Sequence, residues 1–224
     1  MHRGRRILGT LLIGAGVLTL AWAVAVWQWQ DPFTALYTHW QQHSLAQSLN
    51  RQFAAFHRAA SADGGGRAAE RRLVAADARR FRRSAKRGQA IGRIVIRRVG
   101  LRMVLVNGTD HDSLTKGPGR DLRSYMPGQN RLVYIAGHRT TYLAPFSHID
   151  AIRPGDAIEL TMPYATFVYR AFRHRVVPSN DMSVLRSPTH ELLELQACHP
   201  RFFATHRYIV YARLESMQPA RGRG

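Results

Sequence analysis

The feature that most constrains this chain is an uncharged run of 21 residues, 7–27, close to its N-terminus. A helix rises about 1.5 Å per residue, so about 20 apolar residues cross the ~30 Å hydrocarbon layer of a membrane. Three arginines precede the run within residues 1–6, and positive charge is retained on the cytoplasmic side. The sequence therefore predicts a cytoplasmic tail at 1–6, a single transmembrane helix at 7–27, and the bulk of the chain on the extracellular side of the cell membrane.

A cleaved signal peptide is the alternative interpretation of this run. Its apolar segment is longer than the ~7–15 residues usual in signal peptides, and the sequence Ala21-Trp22-Ala23, which resembles a cleavage site, lies inside the run. Trp27 and Trp29 join Trp22 at the outer end, where indole rings favour the membrane interface. An uncleaved anchor is the favoured interpretation.

The charge of the chain is strongly positive and unevenly distributed. It has 33 lysines and arginines against 14 acidic residues, a formal net charge of +19. Residues 51–100 hold 14 of these basic residues and 3 of the acidic ones. Such a block is typical of proteins that bind nucleic acid or an anionic surface. An extracellular location argues against nucleic acid as the partner.

Residues 28–88 predict an extracytoplasmic stalk in two parts. Large apolar residues recur every three or four positions between Phe33 and Phe56, which indicates an amphipathic helix. After a flexible Gly-rich break at 61–66, residues 67–87 are rich in Ala and Arg and predict a solvated helix with little to bury. A spacer is the favoured role of this basic part, and adhesion to anionic lipid or wall polymer is the alternative.

Beyond Gly88 the pattern changes to short strands. Seven runs, several rich in Val, Ile, Tyr and Phe, alternate with turn sequences such as Asn107-Gly108 and Pro127-Gly128. Seven or eight short strands at this spacing predict a closed or nearly closed β-barrel. We therefore expect an all-β domain at 89–215, with helix limited to short turns, and a disordered tail at 216–224.

The chain has one cysteine, Cys198, at the end of the predicted strand 192–197. A single cysteine excludes an internal disulfide. An unpaired thiol outside the cell is open to oxidation, so a chemical role for Cys198 is favoured over a buried cysteine without function. A thiol nucleophile needs a group that moves protons and a positive group for the developing oxyanion. His138 follows a predicted strand at the barrel rim, and Arg207 and Arg201 are the candidate cations.

Four segments of the β-rich part line up with the motifs of a known family. The first is Asn107-Gly108-Thr109 with residues 114–119, the second is Gly137-His138-Arg139-Thr140-Thr141-Tyr142, the third is Gly155-Asp156 with residues 161–164, and the fourth is Leu195-Gln196-Ala197-Cys198-His199-Pro200 with Arg207-Tyr208-Ile209-Val210. In this order and at this spacing they resemble sortases, closest to class E, over about residues 89–215.

The resemblance implies an eight-stranded sortase-type barrel and a cysteine transpeptidase that needs no metal or organic cofactor. By position, Cys198 would attack the carbonyl between Thr and Gly of a C-terminal sorting signal, and a thioacyl intermediate would follow. His138 would move the protons, and Arg207 would hold the substrate backbone and the oxyanion. The implied partners are exported proteins that carry such a signal, and peptidoglycan or a pilin lysine as the amine acceptor.

The same motifs predict substrate contacts for Ala197, Arg139 and Tyr142. Ala197 stands where the family usually has Thr within a TLxTC-like motif, and Glu194 replaces the first Thr of that motif. Residues 119–123 lack the His-Tyr pair that class E members often carry after Gly-Pro-Gly. Because that loop is associated with the choice of signal, both LAxTG and LPxTG stay open.

Three alternatives accompany this interpretation. Ala197 keeps open a sortase-fold protein with weak or no catalysis that serves as a membrane-tethered binding or assembly factor. A hydrolytic cysteine peptidase would resolve the same intermediate with water. A metal site of Cys198 with His199 and His206 is disfavoured, because the chain has no CxxC or HxxxH pattern.

Overall fold

The computed structural model describes residues 2–28, 32–59 and 66–220. Trp29, most of the predicted flexible break and residues 221–224 of the predicted tail lie outside the described residues. The helices are α1 (His2–Gln28), α2 (Pro32–Ala59), α3 (Arg67–Ser84) and α4 (His111–Leu114), and the strands are β1 (Ala90–Ile96), β2 (Leu101–Asn107), β3 (Gly119–Arg120), β4 (Leu132–Ala136), β5 (Ala157–Met162), β6 (Ala165–Pro178), β7 (Leu192–His199) and β8 (His206–Pro219).

The eight strands form a closed barrel in the order β1-β2-β3-β4-β7-β8-β6-β5. The β2–β3 and β4–β7 pairs are parallel, and the other pairs are antiparallel. The predicted all-β barrel with short helical turns is therefore confirmed. β3 has only two residues, too few to produce an alternating pattern, and for that reason the sequence indicates only seven of the eight strands.

The barrel interior is filled by side chains that alternate along the strands. Ile158, Leu160 and Met162 of β5 are fully buried, whereas the residues between them are partly exposed. Phe146 and Ile149, from the long β4–β5 connection, belong to the same core cluster. Each fully buried side chain of this size contributes about 1.5–3 kcal/mol relative to an exposed one, so this core stabilises the frame on which the loops are mounted.

The first helix, α1, contains the predicted membrane anchor. Residues Arg3–Val24 form a continuous, exposed helical segment of 22 residues with a mean hydropathy of 2.1. At about 1.5 Å per residue such a segment is long enough to cross a bilayer. Its length and composition therefore make α1 a candidate membrane span.

The basic helix α3 is not merely solvated, and the prediction that it has little to bury is wrong. Val74, Ala78 and Phe81 recur at helical spacing and are buried in the main core cluster. The Phe81 ring meets Phe56 of α2 at 6.1 Å and Tyr164 of the barrel at 5.8 Å between centroids. The arginines occupy the remaining faces, so a narrow apolar stripe suffices to dock this helix.

Helix α2 also packs on the barrel instead of standing apart from it. Leu49 is fully buried in a small cluster with Ala90 and Val104. The Gln42 side-chain amide donates to the Val104 carbonyl at 3.0 Å and to the Lys116 carbonyl at 2.6 Å, while its oxygen accepts from the Val104 N–H at 2.6 Å. Gln42 thus pairs with the barrel as a strand residue would, and this part of the predicted stalk is a component of the folded barrel domain.

The last strand extends further than the sequence suggests. β8 continues to Pro219 and stays paired with β6, with Pro219 opposite Ala165. The predicted tail at 216–224 is therefore corrected for 216–219, which form the end of a strand. Met217 packs against the main core cluster, whereas its neighbours Ser216 and Gln218 are exposed.

Glu194 is a buried carboxyl on β7. Its side chain is 3% exposed, and its Oε2 has no hydrogen-bond partner among the described residues. Burial raises the pKa of Glu194 to about 8, although Arg173 and Arg175 act in the opposite direction. The neutral acid therefore dominates in the folded protein below that pH.

We expect Leu49→Ala to lower the free energy of unfolding by about 2–5 kcal/mol, because it leaves a cavity between α2 and the barrel. Urea unfolding of the detergent-solubilised chain measures this change. Leu36→Ala, on the same helix but 72% exposed, is the matched control and should change stability by less than about 0.5 kcal/mol. Equal effects of the two substitutions would contradict the docking of α2.

We expect Glu194→Gln to stabilise the fold by an amount that grows with pH. The unfolded carboxyl ionises near pH ~4.3, whereas the folded one has its pKa raised to about 8. Wild-type stability should therefore fall as pH rises between these values, and the Gln variant lacks this loss. Thermal unfolding at pH 4.5 and pH 8 measures the difference, with Glu215→Gln, an exposed carboxylate paired with Arg170, as the control. A pH-independent gain would contradict the raised pKa.

Candidate active site

Three strand ends bring the predicted catalytic residues together. Cys198 on β7 lies directly opposite Arg207 on β8 in the antiparallel ladder, so their side chains share one face of the sheet. On the other side, β7 pairs in parallel with β4, and the Gly137 N–H donates to the Gln196 carbonyl at 3.0 Å. His138 therefore leaves the end of β4 beside Cys198.

Cys198, His138 and Arg207 line one cavity of 320 Å³ at the barrel rim. The thiol is partly buried and not bonded to another cysteine. One part of the wall is apolar and the rest carries polar and charged groups. The other lining residues are Thr109, Leu114, Asp121, Arg123, Tyr134, Ala136, Gly137, Ser179, Asp181, Met182, Val184, Leu185 and Gln196.

The His138 ring is poised to accept a proton. Its Nε2 is buried and has no hydrogen-bond partner in the part of the chain that the structure describes. Burial, with a smaller contribution from the charge of His111, lowers the pKa of His138. The neutral imidazole is therefore favoured near neutral pH, which is the form that a general base needs.

The loop after His138 has an unusual backbone. A Cβ at Gly137 would lie 2.7 Å from the Phe146 ring, so only glycine fits there. Tyr142, Leu143 and Ala144 have φ values of 53°, 61° and 38°, in the left-handed region that non-glycine residues rarely occupy. Such strain persists only where the surroundings hold it, and it is concentrated at functional sites.

Two hydrogen bonds hold this loop beside the cavity. The Phe146 N–H donates to the His138 carbonyl at 3.0 Å. The Tyr142 N–H donates to Oγ1 of Thr34, on helix α2, at 3.2 Å. The Tyr142 ring lies 5.1 Å from the His138 ring between centroids. Helix α2 therefore contributes to the position of the histidine loop.

Arg207 is oriented by its own loop. Its Nη1 donates to the Ala204 carbonyl at 2.7 Å and to the His206 carbonyl at 2.9 Å. Its Nε and Nη2 have no hydrogen-bond partner among the described residues. A planar guanidinium fixed through one nitrogen can present its remaining donors to an oxyanion or a peptide carbonyl. Arg201 instead bonds the Ser147 carbonyl and does not line the cavity.

The Arg139 side chain joins two strand ends by hydrogen bonds and does not line this cavity. Its side chain is buried and donates to Asp150 at 2.7 Å and to the Cys198 carbonyl at 3.4 Å. Its Nη1 also lies 2.9 Å from Nδ1 of His199. Arg139 thus ties the end of β4 to the end of β7, and its side chain is committed to protein groups instead of the predicted substrate contact.

The Ala197 side chain also lies away from the cavity in which the substrate contact was predicted. It is fully buried in the main core cluster and does not line the cavity. Successive strand residues point to opposite faces, so the residue before Cys198 faces the barrel interior when Cys198 faces the cavity. Tyr142, the third predicted contact, is half-buried against His138 and lines an adjoining cavity.

The lining also includes a charged cluster that the sequence patterns do not single out. Asp121 accepts three hydrogen bonds from Arg123, at 2.7–3.0 Å, and one from the Thr109 hydroxyl at 3.2 Å. Burial acts to raise the pKa of Asp121, but these bonds outweigh it and hold the pKa below its usual range. The only sequence signal was the position of Thr109 in a segment that matches a family motif, whereas Asp121 lies in residues 119–123, which depart from the class E pattern.

Together these groups can perform acyl transfer through a thiol. A partly buried thiol, a neutral imidazole and a guanidinium with free donors face one cavity, which supplies the nucleophile, the proton carrier and the oxyanion partner of covalent catalysis. The apolar part of the wall suits an aliphatic side chain of a peptide.

Known proteins share this fold and part of this sequence. The chain is 33% identical to Sortase D of Bacillus subtilis over 131 residues, which cover 56% of this chain and 64% of that protein. It superposes on sortase E of Streptomyces avermitilis with a TM-score of 0.54 and 29% identity, covering 60% of this chain and 93% of that one. A Clostridium perfringens Sortase D5 transpeptidase shares the fold, with a TM-score of 0.63 at 24% identity, over 79% of this chain and 99% of that one.

The family model of the sortase domain matches residues 94–215. This range is more than half of the chain, and it contains all three residues that converge on the cavity. The resemblance of the sequence motifs to those of sortases is thereby confirmed, and the chain belongs to the sortase family.

Proposed function

We propose that this chain is a membrane-anchored cysteine transpeptidase that cleaves a C-terminal LAxTG- or LPxTG-like sorting signal between Thr and Gly. The protein substrate is then transferred to a cell-wall amine. One observation carries this proposal: Cys198, His138 and Arg207 come from three adjacent strand ends and face the same cavity.

In the first half-reaction the Cys198 sulfur attacks the Thr carbonyl carbon. The carbonyl oxygen gains negative charge, which Arg207 stabilises with its unoccupied donors. The C–N bond then breaks, and the departing Gly nitrogen takes a proton from the His138 imidazolium. A thioester on Cys198 and a free C-terminal fragment result.

The protonation states suit this order of events. A free thiol has a pKa of about 8.5 and an imidazole one of about 6.5, and burial lowers the pKa of His138. The neutral imidazole of His138 is therefore favoured near neutral pH. The thiol proton passes to His138 as the nucleophile forms, which leaves the imidazolium ready to protonate the leaving amine.

The cavity wall fits the proposed peptide. Leu114, Val184 and Leu185 contribute apolar surface, which matches the leucine that begins both candidate signals. Asp121 and Arg123 satisfy each other as an ion pair, so neither presents an uncompensated charge to a neutral peptide.

Chain connectivity supports a location of this chemistry close to the membrane. Helix α1 ends at Gln28 and α2 begins at Pro32, so at most about 14 Å of chain separates the two ends. Thr34, two residues later, bonds the histidine loop through Tyr142. A substrate still held in the membrane after export would therefore meet the cavity near the bilayer surface.

The non-catalytic alternative loses its main support. It rests on Ala197 in place of Thr, and that side chain lies in the core outside the cavity lining. A hydrolytic peptidase would use the same first half-reaction, so the fate of the thioester distinguishes it from a transpeptidase.

We expect Cys198→Ala to abolish turnover of sorting peptides. The full chain in detergent is incubated with LAxTG or LPxTG peptides and a glycine-based amine, and intact-protein mass spectrometry detects the thioacyl adduct. Wild-type protein should carry the adduct on Cys198 and form ligated product in an amine-dependent manner. Unchanged turnover in the Ala variant would contradict the proposal, and an adduct that yields only hydrolysed peptide would favour the peptidase.

We expect Arg207→Lys to lower kcat/KM for the peptide by about 100-fold, since Lys keeps the charge but loses the planar donors on the oxyanion. Arg201→Lys is the matched control, because Arg201 is exposed and, among the described residues, bonds only the Ser147 carbonyl. It should change kcat/KM by less than about threefold. The reverse order of effects would assign the oxyanion to Arg201.

A further inference from the structure

A second cavity adjoins the histidine loop on the side of helix α2. It has a volume of 410 Å³ and is open to solvent. Three elements form it: the start of α2, the short helix α4 with the residue after it, and the loop that follows His138. The lining residues are Thr34, Tyr37, His111, Asp112, Thr115 and Tyr142.

Only one aromatic ring separates this cavity from the catalytic base. The Tyr142 ring lines the second cavity and lies 5.1 Å from the His138 ring, which lines the first. Helix α4 forms part of both walls, because Leu114 faces the first cavity and Asp112 faces the second. A molecule in the second cavity is therefore a neighbour of His138.

This cavity carries less positive charge than the rest of the protein, because Asp112 and His111 are the only charged or titratable groups other than tyrosine among the described residues that line it. The chain has a net charge of +19, yet no lysine or arginine is among the described residues that line the cavity, and Asp112 contributes a carboxylate. By contrast, the groove between α3 and the barrel is lined by Arg71, Arg72, Arg79 and Arg213. A carboxylate with two phenol rings is a suitable environment for an ammonium group, through charge-assisted hydrogen bonds and cation–π contact.

Helix α2 is held firmly enough to form a binding wall. The Thr38 hydroxyl is buried and donates to the Thr115 carbonyl at 2.8 Å. Thr34 accepts from the Tyr142 N–H, so both neighbouring walls are bonded to the same helix. The segment that follows the membrane anchor thus builds one side of the cavity.

We propose that this second cavity binds the amine acceptor, which enters as an ammonium ion held by Asp112 and the rings of Tyr37 and Tyr142. The inference rests on the proposed transpeptidase function and assigns the site of its second substrate. It gives the stalk helix a direct role in acceptor binding.

The chemistry of the second half-reaction balances in this arrangement. The ammonium ion loses one proton to solvent, and its nitrogen lone pair forms a C–N bond to the thioester carbonyl carbon. The C–S bond breaks with its electron pair going to the Cys198 sulfur, and the proton released from nitrogen goes to neutral His138. The amide product leaves, and the thiolate–imidazolium pair returns to thiol and imidazole by proton transfer.

The test measures how the thioester divides between amine and water. The full chain in detergent receives an LAxTG or LPxTG peptide and increasing glycinamide, an ammonium without a carboxylate, and mass spectrometry gives the ratio of ligated to hydrolysed peptide. Both products arise from one intermediate, so the ratio does not depend on how fast that intermediate forms. We expect Asp112→Asn to lower the slope of this ratio against glycinamide by about threefold to fivefold, the size of a partly exposed charge pair, and Asp112→Lys to lower it further.

Matched control variants distinguish an effect of the cavity on the slope from general effects of charge or of a surface aromatic residue. Asp77→Asn and Asp77→Lys make the same charge changes on α3, where Asp77 pairs with Arg80, and should leave the slope unchanged. Tyr37→Leu should lower the slope, whereas Trp40→Leu, an aromatic on the same helix that is 66% exposed and outside the cavity, should not.

The outcomes distinguish this inference from the function on which it rests. Wild-type slopes in both Asp112 variants would overturn the acceptor site while leaving the transpeptidase intact. If the wild type hydrolyses the peptide without ligation at every glycinamide concentration, the acceptor site is overturned as well. The absence of any thioacyl adduct on wild-type Cys198 would overturn the proposed function and this inference together.

Discussion

The candidate active site depends on the pairing of β7 with two different neighbours. β7 is parallel to β4 on one side and antiparallel to β8 on the other, so the end of β4, the end of β7 and the start of β8 meet at one rim of the barrel. The position of His138, Cys198 and Arg207 at the same rim follows from that register. A shift of one residue in either pair would turn Cys198 toward the core and Ala197 toward the cavity. The closed barrel prevents such a shift, because every strand has a partner on both sides.

The second organising element is the pair of helices between the anchor and the barrel. Leu49 on α2 and Phe81 on α3 are buried against the barrel, and α2 reaches the histidine loop through Thr34. These helices therefore do more than separate the candidate membrane span from the barrel. They belong to the folded unit, and α2 borders the candidate active site.

Electrostatics divide the surface around the barrel into regions with different roles. Arginines line the groove beside α3, and the candidate catalytic cavity contains both the Asp121–Arg123 ion pair and the guanidinium of Arg207, which is bonded through Nη1. The cavity beside α2 has the carboxylate of Asp112, the imidazole of His111 and no lysine or arginine among the described residues that line it. In a chain of such high positive charge, a cavity beside His138 that lacks lysine and arginine among its described lining residues is the feature that most needs a functional explanation.

The sequence by itself determined the membrane-span candidate, the barrel class and the residue types needed for thiol chemistry, because hydrophobic periodicity and ordered motifs are local signals. Only the tertiary structure decided that Ala197 faces the core and that Arg139 is a brace, since side-chain direction depends on strand register and on partners far along the chain. It also decided that α2 and α3 dock on the barrel. Apolar residues at helical spacing show that a helix has a face to bury, and they do not show against what. The two-residue strand β3 and the cavity shared by α2, α4 and the histidine loop likewise arise from contacts between distant segments, which no local pattern encodes.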